Sequence, residues 1–241
     1  MDIATKDQHN IGVKTTLAKA SYPDLRYISL DEIEARDQLR EMPARIDDLV
    51  PFRRFLKLCA LRSGHVLSYA NLARDADISP GTARNYLSYV NLSHQSFLLQ
   101  PYFSNEIKRL VKAPKLYWVD PGLWHHQTDS WGRMPGELLE TFVVSECAKW
   151  LQTTHAQAKM WHYRSHGGLE VDLLITTSAG IWGIEIKSSP KAKSAHGSSL
   201  RKVAEHLGTE WRGGIVAYIG NQITQLSQNI WAVPISRLFS A

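Results

Sequence analysis

The sequence predicts an α+β chain in three parts: an N-terminal extension over 1–50, a helix-rich part over 51–130, and an α/β part with a mixed central sheet over 131–241. Three observations lead there. Apolar residues recur at helical spacing between residues 52 and 61 and again between 83 and 90. Beyond residue 135, one long helical pattern is followed by short β-branched runs broken by glycine and polar turns. Charge also changes sign along the chain: 1–50 carries net −3, 51–134 carries +6 and 135–241 carries +2.

Composition bounds the class of protein. With 241 residues, 44% of them apolar, 21% charged and eight Trp, the chain can bury a core and is not a disordered polymer. No apolar run approaches the roughly 18–20 residues of a membrane-spanning helix. The first residues, Met1 to Asp7, lack the apolar stretch of a signal peptide. These features predict a cytoplasmic chain without a membrane partner. Cys59 and Cys147 stand alone in apolar helical patterns, as buried free thiols do; a disulfide scaffold or a zinc site needs more, and clustered, ligands. A net charge of +5 is too mild to name a partner by itself.

In the extension, Gly12-Val13-Lys14-Thr15-Thr16 invites comparison with the phosphate-binding loop G-x-x-x-x-G-K-[ST], whose glycines let backbone N–H groups approach phosphate. Val13 stands at the second glycine and Gln8 at the first, and no apolar strand precedes them. The segment predicts no ATP binding.

Pro51 opens the first helix of the second part, with Phe52, Phe55, Leu56, Leu58, Cys59 and Leu61 as its apolar residues and Gly64 as its stop. Ser68 caps a short second helix from Tyr69. Ser79 and Pro80 give a cap and a first-turn proline for the third, which runs to about Ser93. Its inner face is Ala83, Tyr86, Leu87 and Val90; Thr82, Arg84, Asn85 and Ser88 lie outside. Helix, short helix, turn, helix is the order of a helix-turn-helix, and the strand-like runs 97–99 and 115–119 would supply a wing. Arg84 and Asn85 sit where base contacts usually arise. Lys108, Arg109, Lys112 and Lys115 form a basic stretch suited to DNA phosphates. A solvated basic face explains the same residues equally well.

The third part opens with a helix over 137–151, with Leu139, Phe142, Val143, Cys147, Trp150 and Leu151 inward. Strands follow near 160–164, 170–175, 181–187 and 214–218, with a helix at 198–207 before the last. Strand alternation puts Glu185 and Lys187 on one face and Asp172 opposite Val171 and Leu173. If the second and third strands are neighbours, Asp172 and Glu185 converge on one divalent cation, Mg²⁺ or Mn²⁺. Glu140 completes the metal-ligand set. Lys187 then lies near an attacking water or a scissile phosphate, so Glu140, Asp172, Glu185 and Lys187 are the catalytic candidates.

Asp172 and Glu185-Ile186-Lys187 resemble the PD-(D/E)xK nuclease motif, with Val171 in place of the usual Pro. Further blocks are similar to one family: Phe52 to Leu58, Arg109 to Tyr117, Asp120-Pro121-Gly122-Leu123 and Glu140 to Glu146. It is the uncharacterised C-terminal region that follows prokaryotic AAA-type ATPase domains. Residues 12–45, with Lys14-Thr15-Thr16-Leu17-Ala18 and Arg26-Tyr27-Ile28-Ser29-Leu30-Asp31, resemble a broken piece of that ATPase. Most of it, including a Walker B strand, is missing.

The resemblance implies a degenerate ATPase remnant over 1–50, a winged helix over 51–130, and a PD-(D/E)xK restriction-endonuclease-like domain over 131–241. It implies DNA as partner and no ATP hydrolysis, with self-association or association with intact family ATPases as further candidates. Two functions stay open: a Mg²⁺-dependent deoxyribonuclease, and an inert DNA-binding, regulatory or protein-interaction module.

Overall fold

A computed structural model describes residues 49–102, 112–130 and 135–239, all within the compact unit Asp48–Ala241. Residues 1–48 of the N-terminal extension, Lys108 and Arg109 lie outside the described residues. Among those residues the chain is mixed α+β, with seven α-helices and a mixed six-stranded sheet. No described helix is long and apolar enough to cross a membrane.

Helix α1 (Leu49–Leu61) buries Phe55, Cys59 and Ala60 and ends before Gly64, whose φ of +81° few other residues accept. Strand β1 (His65–Val66) leads to α2 (Tyr69–Ala76), where Ser68 accepts the Asn71 N–H at 3.3 Å. Helix α3 (Pro80–Leu92) starts at Ser79, which accepts the Thr82 N–H at 3.0 Å, with Pro80 in the first turn. Ala83, Tyr86, Leu87 and Val90 are buried, as its sequence pattern requires.

Strands β2 (Ser96–Leu99) and β3 (Lys115–Trp118) complete an antiparallel sheet in the order β1-β3-β2. Asp120 caps α4 (Pro121–Thr128). Strand β3 is buried on both faces. Leu116 and Trp118 join the core of α1–α3, while Tyr117 joins the core beneath the larger sheet. Strand alternation therefore sends Lys115 and Tyr117 together toward that larger sheet.

Helix α5 (Gly136–Thr153) is clasped from two sides. Leu138 packs into the core of α1–α3; Leu139, Val143, Val144 and Cys147 pack on the sheet. Thr141 hydrogen-bonds Ser63 at 2.8 Å, and Ser63 accepts the Trp118 N–H at 3.0 Å. The inward stripe expected from sequence therefore needs correction. Trp150 is 54% exposed, whereas Leu138 and Val144 are buried. A helix held on two faces has no single apolar stripe to read.

The larger sheet contains β4 (Ala158–Arg164), β5 (Glu170–Thr177), β6 (Gly180–Lys187), β7 (Trp211–Tyr218), β8 (Thr224–Ser227) and β9 (Ile230–Pro234), in the order β4-β5-β6-β7-β9-β8. Its β4-β5-β6 half is antiparallel, and β6-β7-β9 is parallel. Helix α6 (Ser198–Leu207) covers the face opposite α5 through Leu200 and Val203. Gly183 admits that helix, since a Cβ there would stand 2.7 Å from Leu200 Cδ2. A short α7 (Ile235–Leu238) ends the described chain. On the β4 edge, the His162 N–H donates to Gln100 O at 3.0 Å and Tyr102 N–H donates to His162 O at 2.7 Å. The continuation of β2 thus pairs with the larger sheet.

Candidate active site

A bulge in β5 shapes the site. Between the pairs Trp161–Leu174 and Tyr163–Val171, β4 advances two residues and β5 three. The extra residue falls at Asp172–Leu173. The β5–β6 ladder stops at the neighbouring pair, Leu173–Ile184. Val171 packs on the α6 side and Leu173 on the α5 side, so the strict alternation expected across Asp172 does not hold. A bulge re-aims the side chains beside it. Past the last rung, Asp172 Oδ2 accepts the Ile186 N–H at 2.8 Å. Its carboxylate therefore meets β6 between Glu185 and Lys187.

Glu185 is 6% exposed and accepts Lys187 Nζ on Oε1 at 2.5 Å. Its Oε2 is buried and has no hydrogen-bond partner. Glu140, on the second turn of α5, accepts Lys115 Nζ at 2.9 Å and the Tyr117 hydroxyl at 2.6 Å, both on Oε1. Lys115 Nζ also meets Glu170 Oε1 at 2.7 Å, and Arg164 holds Glu170 Oε2 at 3.1 Å. Glu140, Asp172, Glu185 and Lys187 thus lie close enough to act on one another electrostatically.

Lys115 was expected on a DNA-facing basic stretch, and that expectation is corrected. Its side chain is 2% exposed and turned into the carboxylates, because β3 is buried on both faces. Arg84 and Asn85 are exposed on α3, with the Arg84 guanidinium 5.3 Å from the Tyr69 ring centre. Lys112 is exposed.

Burial, with Glu140 and Glu185 nearby, holds the Asp172 carboxyl well above the usual carboxylate range, against Lys115 and the Ile186 N–H. Burial also raises Glu185, and Lys187 only partly opposes it. Burial pulls Lys187 down, but Glu185, Asp172 and Glu140 outweigh it, leaving the ammonium above its ordinary value. The same balance raises Lys115, through Glu140, Asp172 and Glu170. Burial and Glu140 push the Tyr117 hydroxyl well up, so it stays a donor. Burial raises Glu170, but Lys115 and Arg164 bring it below its ordinary value. Burial lowers His162 to about 4. This neutral ring directs Nε2 at the Ala113 carbonyl at 3.0 Å.

Among the described residues, no three His, Cys, Asp or Glu side chains stand as a ready metal-ligand set. Glu140, the expected third ligand, is engaged by Lys115 and Tyr117 instead. Asp172 and Glu185 remain. Their hard oxygens and the unpartnered buried Glu185 Oε2 fit Mg²⁺, which binds through one or two carboxylates and retains waters.

Sequence reasoning missed Lys115, Tyr117, Glu170 and Arg164 as members of this cluster. One signal was present: Lys115 and Tyr117 alternate with Leu116 and Trp118 in a short apolar strand, and Glu170 lies two residues before Asp172.

Residues 135–238 match a family model described as a domain of unknown function, DUF4143; residues 29–130 match another, DUF8612. Two curated relatives are the uncharacterized proteins Rv2008c of Mycobacterium tuberculosis and Mb2031c of Mycobacterium bovis. Each is 28% identical over 197 residues, covering 78% of this chain and 42% of the relative. The chain thus spans about two fifths of the length of those relatives. No solved structure matches.

Proposed function

We propose that the chain carries a divalent-metal-dependent phosphodiesterase site of the PD-(D/E)xK type and acts on DNA. The observation that carries this reading is the Asp172 carboxylate on the Ile186 N–H, at a β-bulge, beside the Glu185–Lys187 pair.

Asp172 and Glu185 would hold Mg²⁺, with Glu140 as the reserve carboxylate. When bound, the metal lowers the pKa of a coordinated water and neutralises charge on the phosphoryl oxygens. Lys187 has three N–H donors; one is directed to Glu185 Oε1, and the half-exposed ammonium can offer the others to a phosphate oxygen. Its ammonium, held beside Glu185, would act as an electrostatic stabiliser of the phosphate.

Helices α1–α3 and the β1-β3-β2 sheet read as a winged helix, with α3 presenting Arg84 and Asn85 to DNA. Lys112, with Lys108 and Arg109 in the same β2–β3 connection, adds phosphate contacts.

The test is nicking or linearisation of supercoiled plasmid by the full chain in Mg²⁺ or Mn²⁺, beside Asp172→Asn and Glu185→Gln. Metal-dependent cleavage lost in both variants is expected. An inert binding module is the second reading, favoured by the pairing of both cluster lysines with carboxylates. It predicts salt-sensitive DNA binding without metal and no cleavage in any divalent ion.

A further inference from the structure

Lys115 is an unusual neighbour for a metal site. Its ammonium is withdrawn from water and bridges two elements, α5 through Glu140 and β5 through Glu170. Tyr117, from the same face of β3, adds a second donor to the very oxygen of Glu140 that Lys115 holds. On another side the carboxylate packs against Gly64, where a Cβ would stand 3.5 Å from Glu140 Cδ. Glu140 is thus fastened by two donors and a backbone wall, while Glu185 Oε2 has no partner at all.

We propose that Lys115 is the resident cation of the cluster, holding Glu140 out of the metal-ligand set until a divalent ion displaces it. The inference rests on reading Asp172 and Glu185 as a divalent-cation site. An ammonium and a divalent ion draw on the same carboxylate oxygens, and like charges cannot share them closely. Lys115 satisfies Glu140 and Glu170, while Asp172 lies on the Ile186 N–H and Glu185 on Lys187. Remove the ammonium, and Glu140 becomes a third carboxylate with no internal cation. A divalent ion then meets a more negative, less engaged ligand set.

The test is Mn²⁺ binding to the full chain, read by loss of the free-ion signal in electron paramagnetic resonance. Lys115→Met keeps the side-chain length and removes the charge; it should bind Mn²⁺ about ten-fold more tightly than wild type. Lys115→Arg keeps the charge and should bind no more tightly than wild type. Tyr117→Phe leaves every charge in place and loosens Glu140, so it should tighten binding about three-fold. Should Lys115→Met fail to fold, Tyr117→Phe alone decides the matter.

Equal or weaker binding by the variants, while wild type binds Mn²⁺ and Asp172→Asn does not, overturns the inference and leaves the site reading standing. Absence of Mn²⁺ binding in wild type and Lys115→Met alike overturns both.

Discussion

Two lysines meet carboxylates at opposite ends of one cluster, under different conditions. Lys115 is 2% exposed, contacts two carboxylates from two elements, and is enclosed between sheets. Lys187 is 36% exposed and holds one carboxylate, two residues away on its own strand. At the buried end one ammonium bridges two carboxylates, and without it Glu140 would have no cation within hydrogen-bond reach and Glu170 only Arg164. At the more open end the ammonium holds one carboxylate and keeps part of its surface in water. Position therefore gives the two lysines different roles. Lys115 ties α5 to β5, and Lys187 pairs within its own strand on a side that water partly reaches.

The largest expected effect separates them by stability. In chelator, Lys115→Met should lose about 3 kcal/mol, because it removes two charge-assisted hydrogen bonds from the partly buried Glu140 and Glu170 carboxylates. Urea denaturation measures it. A loss no greater than that of Lys187→Met would erase the distinction between the two ends.

A second effect belongs to the buried end alone. His162 is fully buried with a pKa near 4, while an unfolded histidine titrates near 6.5. The unfolded chain therefore binds the extra proton between those values. The contribution of neutral His162 is complete above about pH 6.5 and is lost as pH falls toward 4, on the order of 3 kcal/mol. Urea midpoints at pH 7 and pH 4.5 should diverge more for wild type than for His162→Gln. Parallel losses would place the titration elsewhere.

Lys187→Met should lose about 1–2 kcal/mol, less than Lys115→Met, since Lys187 holds a single carboxylate, and burial already raises Glu185 so that it takes up a proton more readily than an ordinary carboxylate. The same denaturation series reads it, and a loss equal to that of Lys115→Met would count against the comparison. The smallest effect lies outside both ends. Arg84→Ala should weaken DNA binding a few-fold and reduce the slope of log affinity against log salt by about one. Titration at several salt concentrations measures it, and an unchanged slope would remove Arg84 from the DNA surface.

Much of the local fold was legible. Ser68, Ser79 and Pro80 fix helix starts through backbone groups within three residues, so the sequence carries them directly. Glu185 and Lys187 share a face because strand alternation is also local. The bulge at Asp172 was not legible, because it depends on how β4 and β6 pair on either side. Neither was the clasp on α5, which turned Leu138 and Val144 inward and left Trp150 out. Strand β8 escaped because Thr224–Ser227 is mostly polar, and β9, apolar from Ile230, escaped because it is short and ends at Pro234. Lys115 misled most: a basic residue beside other basic residues reads as surface, and only the sheet that encloses it shows otherwise.

Phosphodiester hydrolysis beside Lys187, proposed above, stands or falls on one comparison. The most direct measurement is the Mg²⁺-dependent rate of plasmid cleavage by wild type and by Lys187→Met, both shown to be folded. A fall of about 100-fold or more is predicted, the usual effect of removing one charge-stabilising donor. Equal rates, or no cleavage by wild type in Mg²⁺ or Mn²⁺, would contradict it.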